Sequence, residues 1–118
     1  MRSDASARPL FSIVTVVLND REGLGRTRAS LRRQSCRDFA WIVVDGGSED
    51  GTRDEIVRSA PEIAWWRSGP DRGLYDAMNI GMAAATGDYL LFLNAGDELA
   101  SPDSLERLAA EIRRHSSP

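Results

Sequence analysis

Four short apolar runs punctuate the chain, each followed by a polar or helix-patterned stretch. Residues 11–18 (FSIVTVVL) are β-branched and nearly continuous, the pattern of a strand buried on both faces. Residues 19–25 are polar and turn-forming, and 26–34 read as a helix, with Leu24, Ala29 and Leu31 available to face a sheet. Residues 40–44 (AWIVV) form a second strand, closed by the glycine-rich 45–51. Thr52 and Glu55 make a T-x-x-E capping box that opens a helix to Ser59, ended by Pro61. Residues 63–67 (IAWWR) are a third strand, with Trp65 and Trp66 on opposite faces. After a loop over 68–73, a helix spans 75–85; its Gly81, Ala83, Ala84 and Ala85 permit close packing, and Gly87 stops it at C′. Residues 88–93 are the fourth strand and 94–98 the turn after it. Ser101 as N-cap and Pro102 at the first helical position start a last helix, to His115.

Strands alternating with helices imply parallel βαβ units with right-handed crossovers. The expected fold is α/β: a Rossmann-like, open, mostly parallel sheet with helices on both faces. Ligands of such sheets sit outside the carboxyl ends of the strands, where the polar loops after strands one, two and four converge. Residues 1–10 read as a disordered tail and 11–115 as one domain. Neither a membrane-length apolar run nor the apolar core of a signal peptide occurs, so a cytoplasmic location is expected.

Composition narrows the chemistry. With 118 residues, 42% of them hydrophobic and 28% charged, there is room for a single core. The net charge of −3 gives no electrostatic footprint for nucleic acid. All 15 basic residues are arginine, which reads as codon bias rather than as a set of anion sites. One cysteine, Cys36, rules out a disulfide framework and a Cys-based zinc cage and reads as a spectator thiol. His115 reads as solvent-exposed.

Three segments can carry chemistry, and each has a purely structural alternative. In 45–52 (DGGSEDGT) the glycines let backbone approach a ligand and Asp45 can accept from a base or ribose; Asp, Gly and Ser are equally ordinary turn residues. The segment is neither a Walker loop, in a chain without lysine, nor a G-x-G-x-x-G fingerprint. In 93–98 (LNAGDE), Asp97 at a strand end suits a hard divalent cation bridging to a diphosphate, or a turn satisfied by backbone amides. In 69–79 (GPDRGLYDAMN), Arg72 precedes a helix N-terminus, where an anion is favoured. Asp76 and Asn79 share a face of that helix, and Asp76 can equally serve the helix dipole.

Taken in order, SIVTVVLN, Leu31 with Gln34-Ser35 and Asp38-Phe39, IVVDGGSEDGT and DRGLYDAMNIGMAAATGDYLLFLNAGDEL resemble the N-terminal half of family 2 glycosyltransferases over residues 11–99. The nearest likeness is to bacterial enzymes of cell-surface polysaccharide or glycolipid synthesis. The resemblance implies a GT-A fold and transfer of a sugar, usually with inversion, from a nucleotide-diphosphate donor to an acceptor hydroxyl. It implies a base site at Thr15, Val16, Leu18 and Asn19, and a nucleoside contact at Asp45. Its D-x-D-type motif maps onto Asn94, Gly96 and Asp97, with Asn94 at the nucleotide and Asp97 on Mn2+ or Mg2+. Arg72 and Asp76 complete the nucleotide set.

Two departures qualify these expectations. The family's acidic pair is here Asp45-Gly46, and its D-x-D region keeps only Asp97. A single carboxylate is tolerable because the diphosphate itself supplies metal ligands. The resemblance puts the general base and the acceptor site in a second half to which nothing in this sequence corresponds, so no catalytic base is assigned. The partners expected are a nucleotide-diphosphate sugar and a saccharide or lipid-linked acceptor. For the whole enzyme, peripheral association with the inner face of the membrane and self-association are further expectations. A non-catalytic nucleotide-binding remnant acting through a partner chain is the alternative.

Overall fold

The computed structural model describes residues 8–116. Its elements are β1 (Phe11–Val17), α1 (Arg21–Arg32), β2 (Phe39–Asp45), α2 (Thr52–Ser59), a 3-10 turn (Ala60–Glu62), β3 (Trp65–Ser68), α3 (Leu74–Ala84), β4 (Tyr89–Phe92) and α4 (Ser104–Ser116). All four strands are parallel, in the order β3-β2-β1-β4. The expected α/β sheet with helices on both faces is the one observed.

β1 is central. It pairs with β2 from Phe11↔Phe39 to Val17↔Asp45, and its first half pairs with β4 from Phe11↔Tyr89 to Val14↔Phe92. This position explains its nearly continuous apolar run, because both faces are covered. On one face Phe11, Ile13 and Val17, with Trp41 and Val43, pack on Leu24 and Leu31 of α1, Ile56 of α2, and Leu105 and Ala109 of α4. Each such fully buried side chain contributes about 1.5–3 kcal/mol relative to exposure. On the other face α3 lies over β1 and β2, and Gly81 sits so close on Val14 that a Cβ there would meet Val14 Cγ1. The connections explain the split. β1→β2→β3 steps one way across the sheet and β3→β4 steps back, so right-handed crossovers place α1 and α2 on one face and α3 on the other.

Local boundaries differ from the sequence reading where side chains found other partners. α1 begins at Arg21 and not at 26, because Asp20 caps it by accepting from Gly23 N at 3.0 Å. Gly23 and Gly25 had disguised that first turn. The Thr52–Glu55 capping box does not form: Gly51 is the N-cap, the Thr52 hydroxyl goes to Asp50, and Glu55 pairs with Arg21, Arg28 and Arg58. β3 starts at Trp65 because Ile63 N is held by Ala60 O in the 3-10 turn at 3.1 Å. Trp66 packs against the core and Trp65 is exposed, as their opposite faces require. α3 closes on an extended Ala85, so Gly87 is not its C′ residue. α4 starts at Ser104, one turn beyond Ser101 and Pro102; Ser101 N donates to Ser104 Oγ at 3.0 Å.

Of the ten-residue tail expected from the sequence, residues 1–7 lie outside the described residues. Arg8 pairs with Asp88 at 2.8 Å, and the carbonyls of Pro9 and Leu10 accept from Asp88 N and Tyr89 N at 3.2 and 2.9 Å.

Candidate functional site

The direction of the chain across the sheet reverses at β1, and the carboxyl ends of the strands there define the crevice in which open sheets bind ligands. Four loops meet at this edge: 18–20 after β1, 46–51 after β2, 69–73 after β3 and 93–98 after β4. The first two are bonded to each other, and those after β3 and β4 are tied to β2, β1 and α1. Asn19 N donates to Ser48 Oγ at 2.7 Å, Glu49 N returns a bond to Asn19 Oδ1 at 2.7 Å, and Arg21 N donates to Asp50 Oδ2 at 3.1 Å. The Thr52 hydroxyl, then the Arg21 and Thr52 amides, hold the Asp50 carboxyl below its usual range against a smaller opposing effect of desolvation.

The residues named from sequence fall into three groups. Thr15 and Asp45 lie under the edge, with 0% of either exposed. Thr15 Oγ1 donates to Leu93 O at 2.6 Å and accepts from Trp41 Nε1 at 2.9 Å, so its hydroxyl is spent inside the sheet. The Asp45 carboxylate accepts from the Ser48 amide and hydroxyl and, at 2.7 Å, from Ser68 Oγ. Thr15 and Asp45 are thus positioning residues: one fastens β1 to the end of β4, and the other shapes the loop after β2.

Val16, Leu18, Asn19, Asn94 and Asp97 stand at the edge itself. Val16 N donates to Asn94 Oδ1 at 3.4 Å, and Asn94 N donates to Asp97 Oδ2 at 3.0 Å. Thr27 Oγ1 steadies the same turn by donating to Asp97 O at 2.7 Å. In the third group, Asp76 Oδ2 accepts from Arg72 N at 2.9 Å, the helix-terminal use anticipated as its structural alternative. Among the described residues the Arg72 guanidinium has no partner and is exposed, as is Asn79.

A pocket of about 110 Å³ opens between these loops, lined by Val16, Val17, Leu18, Gly46, Asp71, Gly73, Leu74 and Ala77. The absent side chain at position 46 is what admits Asp71: a Cβ on Gly46 would lie 2.9 Å from Asp71 Oδ2. Sequence reasoning passed over Asp71 in favour of its neighbour Arg72, and over Ser48, Ser68 and Asp20. Their shared signal was position, as polar residues at or just beyond strand ends. A wider open cleft of about 560 Å³ lies between β3 and α3, walled by Trp65, Arg67, Ile80, Ala83 and Ala84. It is remote from the strand-end edge.

Among the described residues no three His, Cys, Asp or Glu side chains cluster as a metal cage. What the edge offers is Asp97, an exposed residue whose Oδ2 accepts from Asn94 N at 3.0 Å. That donor set fits an ion of the magnesium type, which keeps waters and takes substrate phosphates as its other ligands.

An open parallel sheet with a switch point at β1 and polar loops on its carboxyl edge defines an α/β protein of the Rossmann-like kind. Residues 12–117 match glycosyl transferase family 2, and the chain belongs to that family. It is 44% identical over 112 residues to a PGL/p-HBAD biosynthesis glycosyltransferase of Mycobacterium bovis, covering 92% of this chain and 44% of the relative. It is 43% identical over 99 residues to an uncharacterized glycosyltransferase of Mycobacterium tuberculosis, covering 83% of this chain and 38% of the relative. The chain thus spans less than half the length of these curated relatives. Among solved structures, S. aureus TarS 1–349 in complex with UDP superposes with a TM-score of 0.80 at 24% identity, over 89% of this chain and 32% of that one. The mannosyltransferase PcManGT from Pyrobaculum calidifontis, in complex with GDP-Man and Mn2+, gives 0.76 at 23% identity, over 99% and 35%. The fold is that of the GT-A glycosyltransferases.

Proposed function

We propose that this chain is the donor-binding half of a glycosyltransferase that moves a sugar, with inversion, from a nucleotide diphosphate to an acceptor hydroxyl. The acceptor is a saccharide or lipid-linked group in cell-surface polysaccharide or glycolipid synthesis, and the whole enzyme works in the cytoplasm at the inner face of the membrane. The observation that carries the reading is the bonded loop cluster around the 110 Å³ pocket at the ends of β1 and β2. Family membership, the relative named for PGL/p-HBAD biosynthesis and the fold shared with a UDP complex support it.

In this reading Leu18, Leu74 and the strand-end backbone receive the nucleoside, and Asn19, Ser48 and Asp45 hold those loops in place before it arrives. Such preorganisation spares binding the cost of ordering them. Asp97, positioned by Asn94 N and Thr27, would hold Mn2+ or Mg2+. Bound there, such an ion would supply neutralisation of diphosphate charge. The PcManGT complex with Mn2+ supports the use of a divalent ion. No residue of this chain is given the role of general base.

Calorimetric titration of the chain with UDP and with GDP, in manganese and in a chelator, tests the reading. Saturable binding strengthened by manganese is expected. Absence of binding by either nucleotide overturns it.

A further inference from the structure

We propose that Asp71 reads the nucleobase, selecting a pyrimidine that carries an imino N–H, as in uracil, against cytosine; this rests on the nucleotide-binding reading above. The pocket at the ends of β1 and β2 has apolar walls in Val16, Val17 and Ala77, and a rim of two leucines that project to solvent, Leu18 at 59% and Leu74 at 52% exposure. At about 110 Å³ it is on the scale of one six-membered ring, given that a cavity of about 150 Å³ accepts benzene. Into these walls the loop after β3 brings one carboxylate.

That carboxylate is oriented. Asp71 Oδ1 accepts from Gly73 N at 2.9 Å, which turns Oδ2 toward Gly46, 2.9 Å from where a Cβ would stand. Among the described residues Oδ2 accepts no hydrogen bond. The neighbouring strand-end carbonyls are already engaged: Val16 O accepts from Ala95 N at 3.1 Å and Val17 O from Gly46 N at 3.0 Å. Asp71 Oδ2 is therefore the acceptor the pocket offers to a ring N–H. An ionised carboxylate only accepts. Uracil presents N3–H to it, whereas cytosine presents a lone pair at the same atom and is repelled.

UDP and CDP share their ribose and diphosphate, so their affinity ratio isolates the base. In manganese, the wild-type chain is expected to prefer UDP by about tenfold to a hundredfold, the range of a hydrogen bond to a charged group. Asp71→Asn keeps an oxygen for Gly73 N and turns its amide NH2 toward the base, so the preference should invert in favour of CDP. Gly46→Ala pushes the carboxylate aside without changing it and should bring the ratio close to one. A UDP:CDP ratio unchanged in both variants overturns the assignment and leaves the nucleotide site standing, as does equal wild-type affinity for the two. Binding of neither by the wild-type chain overturns the nucleotide reading and this inference together.

Discussion

Asn19 and Ser48 clasp each other across the carboxyl edge of the sheet. The Asn19 amide donates to Ser48 Oγ at 2.7 Å, and Asn19 Oδ1 accepts from the residue beside Ser48, Glu49, at the same distance. Asn19 achieves this from a left-handed backbone, φ 49°, which asparagine tolerates better than most residues. The Ser48 hydroxyl in turn donates a hydrogen bond inward to the buried Asp45 carboxylate. One hydroxyl therefore joins the loop after β1, the loop after β2 and a charge beneath both.

Removing that hydroxyl leaves Asn19 N without its acceptor and Asp45 short of a donor. Ser48→Ala is expected to cost about 1–3 kcal/mol and to weaken UDP binding through loosened loops. Urea denaturation and calorimetry read the two effects; unchanged stability would show that water replaces the hydroxyl at no cost.

Gly81 and Val14 make a second prediction, with opposite signs in two backgrounds. Gly81→Ala in the wild-type chain overpacks α3 on β1 and should lose about 1–3 kcal/mol, offset in part by the better helix propensity of alanine. In a Val14→Ala background the space exists, and the same change should stabilise by about 0.5–1 kcal/mol. A double-mutant cycle on denaturant midpoints checks this. Additive effects would mean that α3 moves freely over the sheet.

Asp50 carries a pH dependence. Its folded-state pKa is lowered from the ordinary 3.8, so the stability it contributes is present above that value and is lost as pH falls below it. Wild-type urea midpoints should therefore drop more steeply on acidification below pH 3.8 than those of Asp50→Asn. Parallel profiles would remove Asp50 from the account.

Asp97 is tested with Asp97→Asn, which keeps an oxygen for Asn94 N and removes the charge. The gain in UDP affinity on adding manganese should fall close to nothing, with affinity in chelator little changed. A variant that still responds fully to manganese would rule out Asp97 as the metal ligand.

The strands were legible in the sequence because burial on both faces favours apolar side chains, as in 11–17, where Ser12 and Thr15 alone are polar. Their order, β3-β2-β1-β4, came from the structure, and crossover handedness then accounts for the face each helix covers. Boundaries were harder to read, since a T-x-x-E spacing does not reveal that the Asp50 carboxylate competes for Thr52 and three arginines compete for Glu55. At the site, Leu18, Asn19 and Asn94 could be placed at the edge from strand ends alone. Thr15 could not be placed so simply: it shares the face of Ile13 and Val17, so its hydroxyl turns into the sheet and finds Leu93 O and Trp41.

By itself, the sequence determined the α/β alternation, the family and the edge at which sheets of this kind hold ligands, because hydrophobic periodicity and motif order are local properties. Only the tertiary structure decided which polar groups face the pocket there. Asp71 enters the pocket because β3 lies beside β2 and position 46 carries no side chain. Asp45 is withdrawn from it because serines of two different loops surround its carboxylate. Those are encounters between distant segments, set by how parallel strands bring their carboxyl ends together.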